Sequence, residues 1–206
     1  SAIIAATDLP VSADLENGYG DAPEDAALTI RLAAEVGLVG GSIEDATGDA
    51  TRPIYDFEHA VERVAAAAEA AHTLPFPFTF VARAENFLQG RRDLDDTIRR
   101  LQAFEAAGAD VLFAPGLPDL EAIRLVCASV GKPVNVVLGA RNTPYTLSDL
   151  ADVGVRRAST GSSFARAALG GMMTAATELL GPGTLTYLDR APASAEISPI
   201  MGKRGD

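Results

Sequence analysis

Short apolar runs alternate along the chain with longer stretches of mixed polarity. The runs at 11–14, 38–44, 78–82, 110–114, 134–138 and 155–159 predict strands buried on both faces of a parallel sheet. Between them the apolar positions recur at helical spacing. A helix is expected from Asp21 and Pro23 to Val36, closed by Gly37; another over 57–72, capped by Asp56; and a third from Asp93 to Ala107, stopped by Gly108. Pro118 and Asp119 open a fourth that ends at Gly131, Thr146 a short fifth that ends at Gly154, and 161–180 forms a long sixth before Gly181-Pro182-Gly183. Residues 1–7 read as the tail of a helix, 47–55 and 139–145 as loops, and 184–206 has no clear period.

Strand–helix alternation of this kind builds a parallel α/β fold. Entry to the strands alternates between proline (Pro10, Pro75 or Pro77, Pro133) and glycine (Gly37, Gly108, Gly154), a repeat of two βα units. Barrel side chains stack in layers drawn from alternate strands, so this period suits a (β/α)8 TIM barrel better than an open sheet. Only six units are visible, so the first two are expected to lie upstream. The expected division is a barrel domain over 1–183 and a C-terminal tail over 184–206.

The net charge of −11 over 206 residues argues against nucleic-acid or anionic-membrane partners, which need clustered Lys and Arg. The lone Cys127 excludes an internal disulfide and a thiolate zinc site, and its neighbours suit an inert core position. With neither a membrane-length apolar run nor a leader-like N-terminus, a cytoplasmic protein is expected.

The C-terminal ends of barrel strands carry the chemistry. Those ends supply Asp14 and Glu16, Glu44 and Asp45, Arg83 and Glu85, Asn135, then Arg157 and Ser159. Acids on the first two strands make a hard-oxygen pocket of the kind that holds Mg2+ through a few carboxylates and several waters. Asp14, Glu16 and Glu44 are the candidate ligands; alternation turns Asp45 away. Arg83 follows as an anion-binding cation, with Glu85 behind it to hold it in place. Asn135 and Ser159 are candidate substrate contacts. His59 and His72 fall on a helix, where a solvated histidine is the ordinary outcome, and Gly18-Tyr19-Gly20 lacks P-loop spacing.

Three stretches taken together, Ser12-Ala13-Asp14-Leu15-Glu16-Asn17-Gly18-Tyr19-Gly20, Ile43-Glu44-Asp45 and Ala82-Arg83-Ala84-Glu85-Asn86, resemble the isocitrate lyase and phosphoenolpyruvate mutase superfamily. Pro133-Val134-Asn135-Val136 and Gly154-Val155-Arg156-Arg157-Ala158-Ser159 support the likeness, which runs over nearly the whole chain. The resemblance implies a barrel assembled as a homotetramer, with a C-terminal helix packed on a neighbour. It implies Mg2+, or Mn2+ in its place, held directly by Asp14 and through waters by Glu16 and Glu44, with Arg83 on the substrate carboxylate. It also implies cleavage or formation of a C–C or P–C bond beside a 2-oxo acid, through an enolate-like species.

Two departures narrow the expectation. Lyases of the superfamily carry a catalytic Cys, and phosphonomutases a Lys and an Asn, in the loop after the second acidic strand; here Ala46 to Tyr55 has none of them. Tyr55, or Arg52 and Asp49, is the candidate substitute as proton donor. The N-terminal segment in which the family presents a serine and backbone amides to the substrate carboxylate is expected to lie upstream with the first two units. The expected activity is a Mg2+-dependent lyase that cleaves a C–C bond in a small 2-oxo or 2-hydroxy (di)carboxylate. The alternatives are a phosphonomutase or phosphonopyruvate hydrolase, and, of another class, a non-catalytic metal- and carboxylate-binding barrel.

Overall fold

The structure is a computed structural model that describes residues 1–139 and 145–201. Most of the loop expected at 139–145, and the last five residues of the tail, lie outside the described residues. The chain divides into two compact units, Ser1–Ser159 and Thr160–Asp206.

The first unit holds six parallel strands in sequential order: β1 (Ser12–Asp14), β2 (Gly40–Glu44), β3 (Thr79–Arg83), β4 (Val111–Phe113), β5 (Val134–Val137) and β6 (Arg157–Ser159). They form a curled half-barrel sheet. The helices between them are α1 (Pro23–Glu35), α2 (Phe57–His72), α3 (Leu94–Ala106), α4 (Leu120–Ser129) and α5 (Leu147–Asp152). Three start at a side-chain cap: Asp93, Asp119 and Thr146 all accept a backbone N–H from the first turn of their helix. Asp56, expected to cap α2, stands at its N-cap but makes no such bond, and α1 opens at Pro23 after Ala22.

Alternation divides the strand side chains between two faces. Ile43, Phe80, Ala82, Leu112 and Val134 pack outward with the helices, where Ala26, Ile30, Ala67, Leu101 and Phe104 meet them. Burying a side chain such as Phe80 or Phe104 contributes about 1.5–3 kcal/mol, so this layer sets the stability of the unit. Val81, Val111 and Phe113 form a separate inner cluster with Val137 against it. Toward the strand C-termini the inner face therefore carries Asp14, Glu44, Arg83, Phe113, Asn135 and Ser159.

The second unit contains α6 (Ser163–Leu180), a 3-10 turn at Thr186–Arg190 and α7 (Ser194–Met201). The tail thus holds more regular structure than its sequence period suggested: Ser194 opens a helix that runs through Pro199. At the other end, the expected helix tail is a single 3-10 turn, Ile4–Ala6. No helix among the described residues is long and apolar enough to cross a membrane.

Candidate active site

The turn after β1 is built to hold two acids in place. Asp14 Oδ1 accepts the backbone N–H of Glu16 at 3.2 Å and the Ser42 hydroxyl at 3.4 Å. The chain then passes through left-handed conformations at Glu16 (φ 52°) and Tyr19 (φ 59°), with Gly18 between them at φ 85°. A Cβ on Gly18 would stand 3.0 Å from the Ala26 Cα, so glycine is required there for α1 to approach.

Two side chains from other elements pin this turn. Arg63 on α2 is 1 % exposed. It donates to the carbonyls of Gly20 (2.8 Å), Ala22 (3.1 Å) and Asn17, and stacks 4.5 Å over the Tyr55 ring. The Tyr55 hydroxyl donates to Asp21 at 2.6 Å and accepts from the Asn17 amide at 3.1 Å. Burial, and its bond to Asp21, push the Tyr55 phenol up. Tyr55 is thus occupied with the turn, and its hydrogen bonds do not run to the Arg83 cluster.

Arg83 closes β3 at the centre of the acids. Its Nη1 lies 2.5 Å from Asp14 Oδ2, its Nη2 3.0 Å from Glu44 Oε2, and Glu85 Oε1 accepts from both Nε and Nη2 at 3.0 and 2.8 Å. The guanidinium carbon rests 5.2 Å from the centre of the Phe113 ring. Strands β1, β2 and β3 therefore bring Asp14, Glu44 and Arg83 together, with Glu85 as the expected brace. Glu16 makes itself felt through space: Glu44 is pushed up to about 7, first by burial and then by Glu85, Asp14 and Glu16, against the pull of Arg83.

These acids form an oxygen-only, net-negative site at the strand ends, and a divalent cation would relieve its repulsion. Among the described residues no three His, Cys, Asp or Glu side chains converge into a cage for a metal. Asp14 and Glu44 supply hard-oxygen donors of the kind Mg2+ takes, one or two at a time, alongside its waters.

Asn135 is 1 % exposed; its amide N–H donates to Ser159 Oγ at 3.2 Å, and among the described residues its Oδ1 has no partner. Asp45 points to the outer side, where it accepts from Glu85 N at 2.7 Å and pairs with Arg100 at 3.0 Å. Arg100 also pairs with Asp96, which takes Asn86 at 2.8 Å. This buried ionic layer was not anticipated, nor was Arg63. Both arginines occupy apolar-face positions of their helices, beside Ala60, Val64 and Ala67 in α2 and Thr97, Leu101 and Phe104 in α3, and that placement is the signal that marks them as buried.

Asp49 holds Thr51 in the loop, and Arg52 donates its backbone N–H to Asp49 O. His59 sits 2.8 Å from Asp21 O. His72, expected to be solvated, is half-exposed but lies 3.1 Å from Asp110. Cys127 is partly buried, and burial pushes its thiol up.

A family model described as phosphoenolpyruvate phosphomutase matches residues 1–180. An oxaloacetate decarboxylase from Bradyrhizobium diazoefficiens is 34% identical over 139 residues, 65% of this chain and 46% of that protein. The chain spans about half the length of the curated relatives it matches. A crystal structure from Burkholderia cenocepacia, whose description offers lyase or mutase, is 56% identical with a TM-score of 0.94, covering 98% of this chain and 73% of that one. A phosphonopyruvate hydrolase in complex with oxalate and Mg++ is 25% identical with a TM-score of 0.82, over 98% of this chain and 71% of that one. The chain belongs to the phosphoenolpyruvate mutase and isocitrate lyase superfamily, whose members here are enzymes acting on small carboxylates and phosphonates.

Proposed function

We propose that the protein is a Mg2+-dependent carbon–carbon lyase acting on a small 2-oxo or 2-hydroxy (di)carboxylate. The observation that carries this reading is the placement of Asp14, Glu44 and Arg83 in one cluster at the strand C-termini. Asp14 would hold the cation directly, with Glu16 and Glu44 acting mostly through its waters. Bound there, Mg2+ supplies a Lewis acid beside the substrate oxygen on which negative charge builds when the neighbouring bond breaks.

The chain's own residues do the rest. Arg83, fixed by Glu85, holds the substrate carboxylate and keeps the breaking bond oriented. Glu44, whose carboxyl burial pushes up to about 7, stands 3.0 Å from Arg83 Nη2, beside where that carboxylate would sit. Asn135 and Ser159 line the same inner face as further substrate contacts. Tyr55 serves proton transfer only if the turn releases its hydroxyl from Asp21.

The sequential order and curl of the six strands, and the fit to a longer solved chain, support a closed eight-stranded barrel with two further βα units; a cytoplasmic homotetramer is what the family resemblance and the sequence lead us to propose. A phosphonate substrate is the second reading, favoured by the likeness to a phosphonopyruvate hydrolase. Turnover of oxaloacetate, 2-methylisocitrate and phosphonopyruvate by the full-length protein, each with and without Mg2+, separates the readings. Mg2+-dependent pyruvate release from a C–C substrate is the expected result. Turnover of phosphonopyruvate alone would replace it with the P–C reading, and no turnover of any 2-oxo acid would leave a carboxylate-binding protein.

A further inference from the structure

Arg83 cannot by itself neutralise a dianionic substrate, because Asp14, Glu44 and Glu85 already share its guanidinium. With Mg2+ and Arg83 both engaged at the proximal end, a distal carboxylate would need a cation of its own on the same face. Of the residues that strand alternation places on the inner side of β1 to β6, only Arg83 and Arg157 are cationic.

The sheet register puts those two in one row. Arg83 stands opposite Phe113, Phe113 opposite Asn135, and Asn135 opposite Arg157. Three strand spacings of about 4.8 Å each separate the two backbones. Phe113 and Asn135 stand between them in that row. Arg157 is exposed and, among the described residues, makes no ion pair. Its neighbour Arg156 differs, donating to the carbonyls of Ala151 and Val155.

An exposed arginine is ordinarily a solvated charge. Asn135 supplies an independent reason to read this one otherwise. Its side chain is 1 % exposed, its N–H is taken by Ser159 on the same face, and among the described residues its Oδ1 is left without a donor. A buried acceptor of that kind needs a partner. The guanidinium of its register neighbour can donate to it and keep most of its five N–H groups for an anion.

We propose that Arg157, steered by Asn135 Oδ1, binds the distal carboxylate of a dicarboxylate substrate and selects it over a monocarboxylate. This rests on the lyase reading, which places the proximal carboxylate at Arg83. Malate and lactate differ by that distal carboxylate, and oxalate is too short to reach Arg157.

Calorimetric titration of full-length protein, saturated with Mg2+, with malate, lactate and oxalate tests the assignment. Wild type is expected to bind malate at least about tenfold more tightly than lactate, as a charged hydrogen-bonded contact supplies. Arg157→Gln removes that preference and leaves lactate and oxalate binding unchanged, while Arg157→Lys keeps part of it. If Arg157→Gln binds malate like wild type while both bind oxalate, the assignment falls and the lyase reading stands. If wild type binds none of the three, both fall.

Discussion

Arg63 shows how one side chain off the substrate face fixes the geometry of the site. Its guanidinium is buried under three carbonyls of the turn that carries Glu16, and Tyr55 covers its face. Arg63→Met keeps the volume but strips the donors, and should cost about 3 kcal/mol of unfolding free energy in chemical denaturation. Glu44 gives a pH test. Its folded-state value of about 7 lies above the ordinary 4.5, so the folded, metal-free protein holds a proton that the unfolded chain has released. Stability from this group is therefore greatest at low pH and falls as pH rises from about 4.5 to 7. The melting temperature of metal-free protein should decline across that window, and Glu44→Gln should flatten the decline. The residues on strand ends were legible because their type is unusual there: an acid or arginine that finishes an apolar run has no structural need to do so. Arg63 was not, since its partners lie 41 to 46 positions away and nothing local in Glu62-Arg63-Val64 names them.

At the scale of elements, β2 sends its last two acids in opposite directions. Glu44 faces the inner row, while Asp45 turns outward beneath α3 to meet Arg100. Alternation foretold the turning away of Asp45, but its partner could not be read, because Arg100 sits 55 residues on. Asp45→Asn keeps the acceptor for Glu85 N–H yet leaves Arg100 short of charge, and should cost about 3 kcal/mol or more in denaturant unfolding. The elements themselves were mostly legible: Phe57–His72 is α2 to the residue, and the strands differ from the expected runs by trimmed ends, except β3, which shifts by one residue to take in Arg83. Trimming occurs where the first apolar residue of a run, such as Leu38 or Val155, belongs to the turn out of the previous helix and packs in the core without entering the ladder. The tail misled because Pro199 breaks the sequence period inside a helix.

For the molecule as a whole, charge ties fold to function. The first unit gathers Asp14, Glu44 and Glu85 around a single guanidinium, with Glu16 near enough to act on Glu44 through space, an arrangement that repels anionic substrates until a cation enters. Solubility alone would spread those acids over the surface; the parallel sheet concentrates them at the C-terminal ends of three neighbouring strands. Divalent-cation binding to this cluster is thus the most direct test. Mn2+ titration of the full-length protein, followed by paramagnetic resonance with Mg2+ as competitor, should show one site per chain that Asp14→Asn weakens by about tenfold or more. Equal binding by wild type and Asp14→Asn, or no binding by wild type, would contradict the account.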